Sequence, residues 1–235
     1  MSDKHLSSQF DAALNLLSTR LLEMGGLVES QISSVLSLLS TFDGAVVSGV
    51  RDVERQLNQM EVEIDDEITN VVARRQPAAR DLRLLMAMSK CVTNLERAGD
   101  EAWKIAKRLQ RFDEAGVPTA LHVAEPRNSG EIALTILHRA LDAFARMDVA
   151  AAAQIMRDDL AIDNDFRLFV QRLVADMSAA PGTISSCLDY LFVAKAIERI
   201  GDHATNIAEF VIYIVKGRDV RHLPLDRLEE EIQRS

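Results

Sequence analysis

The chain contains few residues of the kinds that break helices, form disulfides or build large aromatic cores. Its 235 residues include ten glycines, five prolines and two cysteines, and aromatic residues make up only 5% of the sequence. Cys91 and Cys187 belong to no CxxC or Cys/His cluster, so we predict two reduced core thiols and no zinc–thiolate site. Alanine, leucine, arginine and glutamate are abundant, which favours helix along almost the whole chain. We therefore predict an all-α protein.

Long apolar runs are also lacking. The longest run, residues 210–215, is far shorter than the roughly 20 residues that span a bilayer. The first ten residues contain no basic region followed by an apolar stretch, so they do not resemble a signal peptide. The net charge of −9 and the pI near 5.1 argue against nucleic acid or anionic lipid as the main partner. We predict a cytoplasmic protein that does not insert into the membrane.

An internal repeat is the strongest feature of the sequence. Residues 93–106 read TNLERAGDEAWKIA and residues 195–208 read KAIERIGDHATNIA, which share seven of fourteen positions at an offset of 102. In each copy a glutamate and an aspartate are four residues apart, so both carboxylates project from the same face of a helix. Two like charges at this spacing repel each other, which indicates that a cation, a basic neighbour or a helix N-terminus compensates them.

Four acidic pairs with this spacing form a regular pattern. Each half of the chain has one pair on its predicted middle helix and one on the following helix, with offsets of 98 and 102 between the halves. Carboxylate ligand sets suit cations such as iron(III), manganese, magnesium or calcium. Solvated helix faces with ordinary salt bridges are the alternative explanation. The pairs are Glu61 and Asp65, Glu96 and Asp100, Asp159 and Asp163, and Glu198 and Asp202.

Hydrophobic residues that recur at steps of three and four predict six long helices, arranged as two pseudo-symmetric three-helix bundles. The helix-breaking stretch DEAGVPTALHVAEPR separates the two halves. The last residues, basic and then acidic, suggest a loosely docked extension. We predict a first bundle within residues 1–112, a linker at 113–128, a second bundle at 129–217 and a tail at 218–235.

Several glycines lie inside the predicted helices. Gly25 and Gly26 interrupt the first helix. Since each costs about 1 kcal/mol relative to alanine, they indicate a close helix crossing, a slight bend or a chance weak point. Gly99 and Ala102 replace large residues beside an acidic pair. We expect these small residues to let a neighbouring helix approach closely and to bring carboxylates from two helices together.

Enzymatic alternatives make demands that the sequence does not meet. A di-iron oxidase in a helical bundle needs Glu-x-x-His motifs on facing helices, but only His222 has an acidic residue three positions earlier. His203 follows Asp202, and Glu101 stands at its place in the first half. We interpret the histidines as non-ligands. The sequence has no P-loop or dinucleotide fingerprint and no Ser/His/Asp arrangement singled out by the repeat, so we predict no enzyme. A metal-storage or redox bundle and a plain helical scaffold are the alternatives.

The paired ERxGD motifs and several longer strings closely resemble the PhoU family, the phosphate-specific transport accessory proteins of bacteria, over essentially the whole chain. The strings are RRQPAARDLRLLMAMSK at 74–90, LERAGDEAWKIAKR at 95–108, LDAFARMDVAAA at 141–152, AIERIGDHATNIAEF at 196–210 and VKGRDVRH at 215–222.

The resemblance implies two three-helix bundles whose E/DxxxD motifs bind multinuclear metal clusters, with iron, manganese, magnesium or zinc as candidate ions. The family's metal motifs fall on the eight carboxylates named above. Asp159 stands where the first half has Glu61, and its shorter side chain suggests a second cluster of different nuclearity or affinity.

The resemblance also implies a negative regulator. Such a protein connects PstB, the ATPase subunit of the Pst phosphate ABC transporter, to the sensor histidine kinase PhoR, and it silences the phosphate-starvation response when phosphate is plentiful. We predict that these protein partners recruit the chain to the inner membrane. We also predict a homodimer.

Overall fold

Six helices account for nearly all of the residues that the structure describes. The structure is a computed structural model, and it describes residues 8–116 and 124–221 together with Leu223 and Arg227. A short 3-10 helix, Pro181–Thr183, precedes the last helix, and no strand occurs among the described residues. The prediction of an all-α fold is therefore confirmed. The helices are α1 (Ser8–Leu38), α2 (Gly44–Arg75), α3 (Ala79–Glu114), α4 (Ala124–Arg146), α5 (Val149–Ala179) and α6 (Ile184–Lys216).

The repeat is visible in how the middle helices begin. The side chain of Asp43 accepts a hydrogen bond from the backbone N–H of Ala45 (2.8 Å), and that of Asp148 accepts one from Ala151 (3.0 Å). Each aspartate therefore satisfies a backbone donor that has no partner within its helix. The same capping device thus starts α2 and α5.

The two halves pack side by side into one continuous hydrophobic core. Helices α1, α2 and α3 pack against one another, as do α4, α5 and α6, and the halves meet through α3 with α6 and α1 with α4. Helices α3 and α6 run antiparallel, because Asn94 contacts His203 near the middle of α6 while Arg108 contacts Asp189 near its start. The two ERxGD motifs consequently lie beside each other at the centre of the molecule.

The helix bounds shorten the predicted linker. Helix α3 continues to Glu114, and α4 begins at Ala124, five residues before the predicted start of the second bundle. Pro126 lies in the first turn of α4, where proline needs no backbone N–H partner. Residues 117–123 of the predicted linker lie outside the described residues.

The first residues of the predicted tail are packed more tightly than we expected. After Gly217, whose positive φ of 72° ends α6, the chain turns so that Val220 is only 1% exposed. Asp219 pairs with Arg221, whose guanidinium lies over the Phe210 ring. Residues 222, 224–226 and 228–235 lie outside the described part of the chain.

The two adjacent glycines of α1 have different surroundings. Gly25 is buried against α4, and a Cβ placed on it would lie 2.6 Å from both terminal methyls of Leu141. Gly26 is exposed, and a Cβ there would meet nothing within 4 Å. A close helix crossing therefore explains Gly25 but not Gly26. Among the described residues, no helix combines the length and apolarity that crossing a bilayer would require.

Candidate metal sites

The second half brings three of its predicted ligands together. Asp163 comes from α5, and Glu198 and Asp202 lie one turn apart on α6, which packs against α5. Each offers one carboxylate oxygen, and these oxygens all lie within 4.8 Å of one another. Like charges this close repel strongly unless a proton or a cation separates them.

Asp159 lies next to this cluster, one turn before Asp163 on α5. A Cβ placed on Gly201 would lie 2.9 Å from Oδ1 of Asp159, so the glycine leaves the room that this carboxylate occupies. Burial, followed by the charges of Asp202 and Asp163, raises the pKa of Asp159 to about 7. Burial and the neighbouring carboxylates Glu198 and Asp163 likewise raise the pKa of Asp202 to about 6. The four predicted residues thus form one site of concentrated negative charge.

Glu198 has the environment expected of a ligand. Its Oε1 accepts a hydrogen bond from Lys195 (2.5 Å), whereas its Oε2 is buried without a hydrogen-bond partner among the described residues. A buried carboxylate oxygen without a partner costs about 1–3 kcal/mol or more. A cation held by Glu198, Asp163 and Asp202 would satisfy this oxygen, so the residues fit the predicted metal site.

The first half assembles a looser version of the same site. Burial and the charges of Asp100, Glu61 and Glu54 raise the pKa of Glu96 to about 7, although Arg97 opposes the shift. Asp65 instead accepts a hydrogen bond from the Ser89 hydroxyl (2.6 Å). Within the described residues, no three carboxylate oxygens of this half come as close together as those of the second half. Glu54 is not among the residues predicted from the sequence, although it lies two turns before Glu61 on the same face of α2.

Gly99 lies at the predicted close approach, and Gly201 holds the equivalent position in the second half, but side chains fill the space at both. A Cβ on Gly99 would lie 2.5 Å from Cδ1 of Leu57 and 2.9 Å from Oε1 of Gln31. At Gly201 the nearest atoms belong to Asp159 and Ile162. Each glycine therefore accommodates a side chain from the middle helix of its own half, α2 or α5, next to the acidic site.

A buried polar cluster separates the two acidic sites. Glu101 is 4% exposed, and its Oε1 accepts from Lys104 (2.9 Å) and pairs with Arg199 of α6 (3.1 Å). His203 is 7% exposed and its Nδ1 lies 3.1 Å from Oδ1 of Asn94, on the side of α6 that faces α3. Burial, followed by the charge of Arg199, lowers the pKa of His203 to about 4. His203 thus contacts α3 as a neutral side chain.

The fold and the site together define a class of helical proteins: a two-fold repeat of three-helix bundles with a group of acidic residues in each half. The model of the PhoU domain matches this chain twice, over residues 21–109 and 127–211. The chain therefore belongs to the PhoU family, which confirms the resemblance found in the sequence.

Relatives with this domain match almost the whole chain. A Burkholderia protein named phosphate-specific transport system accessory protein PhoU homolog is 51% identical and covers 98% of this chain and 99% of its own length. The Escherichia coli K12 accessory protein PhoU is 40% identical over 97% of this chain and 94% of its own length. The crystal structure of PhoU from Pseudomonas aeruginosa is 42% identical, with a TM-score of 0.85 over 89% of this chain and all of that one.

Proposed function

We propose that this protein is a non-enzymatic negative regulator of phosphate-starvation signalling and phosphate uptake. The observation that carries the proposal is the near-full-length similarity to relatives named phosphate-specific transport system accessory proteins. In this proposal the chain is an adaptor between PstB, the ATPase of the Pst transporter, and the kinase PhoR. Because an adaptor has no turnover, its effect comes from binding one state of its partners more tightly than another.

Deletion and complementation test this role. In cells lacking the gene, phosphatase synthesis should continue in high phosphate, and the wild-type chain should restore repression. In cells lacking PstB and PhoR, the protein should move from the membrane fraction to the soluble fraction. Repression that persists without the gene, or membrane association that persists without both partners, would contradict the adaptor role.

The proposal includes metal binding at both acidic sites. In the second half Asp163, Glu198 and Asp202 would hold a cation together with the adjacent Asp159, and in the first half Glu61, Asp65, Glu96 and Asp100 would do so. The bound ion, of iron, manganese, magnesium or zinc, would supply positive charge that offsets the repulsion between carboxylates. The buried oxygen of Glu198 without a partner supports the second site most directly.

Paired amide substitutions test metal binding site by site. Glu198→Gln with Asp202→Asn should abolish binding in the second half, and Glu96→Gln with Asp100→Asn should abolish the weaker binding in the first half. The matched control, Glu131→Gln with Asp142→Asn, removes two exposed carboxylates of α4. Titration calorimetry and elemental analysis measure the outcome. Equal binding by all three variants would contradict the assignment of the ligands.

The homodimer is part of the same proposal. Light scattering with size-exclusion chromatography should give about twice the chain mass of 26.1 kDa. A mass equal to that of one chain at micromolar concentration would contradict the dimer without affecting the adaptor role.

A further inference from the structure

A row of basic side chains lies along one face of α3, although the chain has a net charge of −9. Lys90, Arg97, Lys104 and Arg111 are spaced seven residues apart, and all four are exposed. A step of seven residues turns the helix by only about 20° from two full turns, so these side chains stay on one face. The row is about 32 Å long, with a step of about 10.5 Å between cations.

The row borders a groove between α3 and α6. Helices α1 and α4 contact each other and cover one side of this pair, while α2 packs along α3 and α5 along α6. The opposite side of the pair is open, since Arg199 and Lys195 of α6 are 51% and 47% exposed there. We call this surface the basic groove, and the buried Glu101 and His203 lie beneath it. Six residues form the basic groove: Lys90, Arg97, Lys104, Arg111, Lys195 and Arg199.

Internal carboxylates neutralise only part of this charge. Glu101 pairs with Lys104 and Arg199, and Glu198 pairs with Lys195. Arg97 and Arg199 occupy equivalent positions in the repeat, and so do Glu101 and His203. Glu101 pairs with Arg199, but its equivalent, His203, is neutral and gives Arg97 no such acid. Among the described residues, no carboxylate forms an ion pair with Arg97.

The other two members of the row have different surroundings. Arg111 forms no ion pair with a carboxylate in the described part of the chain, and Lys90 lies over the Phe210 ring, 5.7 Å from its centroid. Arg97 and Arg111, about 21 Å apart, thus face the solvent without an internal ion pair. Lys90, at the far end of the row, instead lies near Asp219 and helps to lower the pKa of that carboxyl. A small anion contacts only one of these three cations at a time, whereas a helix lying in the groove contacts all three.

One end of the basic groove is apolar. On α6, Leu188 and Phe192 are one turn apart and are 42% and 50% exposed. The guanidinium of Arg108 lies 4.1 Å from the centroid of the Phe192 ring and pairs with Asp189. The apolar end of the basic groove is therefore the end near Arg111. Large exposed apolar side chains beside a charged surface are typical of a protein-binding site.

We infer that the basic groove binds an acidic helix of a partner protein. The helix presents carboxylates at multiples of seven residues to Lys90, Arg97 and Arg111, and an apolar side chain at one end packs on Phe192. Because the chain is acidic overall, an acidic helix is repelled from most of its surface and steered to this groove. The inference rests on the proposed adaptor role and adds the face and the chemistry of the partner.

A peptide-binding experiment tests the groove directly. The probe is a fluorescent helical peptide of about 25 residues with four glutamates seven residues apart and a leucine near the end that reaches Phe192. Arg97→Glu with Arg111→Glu should weaken its binding at least tenfold at about 20 mM salt, where exposed charges are little screened. The control variant, Arg51→Glu with Arg74→Glu, makes the same charge change at two exposed residues of α2 and should bind within twofold of the wild type.

Two further binding measurements can overturn the inference. A peptide of the same composition, with its glutamates distributed around the helix, should bind at least tenfold more weakly; equal binding would mean that only net charge matters. A chain ending at Arg221 should bind the first peptide as the full chain does. Binding that becomes tenfold tighter would assign the groove to residues 222–235 of the protein itself.

Repression in cells separates this inference from the proposed function. If deletion of the gene abolishes repression, the groove variant should also lose it and the α2 control should keep it. A groove variant that unfolds at the wild-type temperature and still represses fully would overturn the inference and leave the adaptor role intact. If deletion has no effect on repression, the adaptor role fails, and the inference then stands or falls on the peptide titrations.

Discussion

Gly25 and Gly26 allow a sharp test of how the two halves are joined. The two residues are adjacent in α1, so substitution by alanine removes the same conformational disadvantage of glycine at both. This change should contribute about 0.8–1 kcal/mol of stability at each position. The added methyl meets Leu141 at Gly25, with distances of 2.6 Å to both Cδ atoms and 3.2 Å to Cγ, but meets nothing within 4 Å at Gly26.

The packing cost should therefore appear at one position only. Leu141 is 6% exposed, so its side chain has little room to move, and overpacking of this kind costs about 1–3 kcal/mol. We expect Gly26→Ala to stabilise the protein by about 0.5–1 kcal/mol. Gly25→Ala should be less stable than Gly26→Ala by about 1–3 kcal/mol. For a chain of this size, each kcal/mol shifts the melting temperature by about 2–4 °C.

Denaturant and thermal unfolding measure the difference, and a second substitution identifies its cause. When Leu141→Ala is already present, the added methyl has space, so Gly25→Ala should no longer be destabilising. Equal stability of Gly25→Ala and Gly26→Ala would refute the close crossing of α1 and α4. A cost at Gly25 that persists beside Ala at position 141 would refute the assignment of the clash to Leu141.

Three further predictions concern other parts of the structure. Burial raises the pKa of Glu209 to about 7 from its ordinary value of 4.5. The folded state therefore holds this proton more tightly than the unfolded state, and stability falls as pH rises from about 4.5 to about 7. Denaturant midpoints should show that Glu209→Gln stabilises the protein more at pH 8 than at pH 5. Gly99→Leu should cost at least about 1–3 kcal/mol, because Leu57 already fills the space beside Gly99; a stabilised variant in urea unfolding would mean that the glycine is not buried. Val220→Ala should cost roughly 1–3 kcal/mol, whereas the same change at Val215, which is 37% exposed, should have a small effect on the melting temperature; equal effects would contradict the docking of residues 218–221.

The sequence alone determined the helical fold, the repeat and the acidic pairs. These features depend on local periodicity: apolar residues at steps of three and four define a helix face, and residues four apart project from the same side. For the same reason the sequence indicated that Glu198 and Asp202 act together. It could also have indicated Glu54, which shares a face with Glu61.

Only the tertiary structure decided which residues from different helices meet. The repeat predicts equivalent sites in the two halves, but three carboxylate oxygens come within 4.8 Å of one another only in the second half, as far as the described residues show. In the first half Asp65 accepts a hydrogen bond from Ser89 instead. The pairing of Arg199 with Glu101 and the contact of His203 with Asn94 likewise appear only once α3 lies against α6. Such contacts depend on the distance and rotation between helices, which are set by the packing of side chains far apart in the sequence. Sequence periodicity specifies which face of a helix is buried. It does not specify which helix packs against that face, how far the two helices are shifted along their axes, or how far apart they lie.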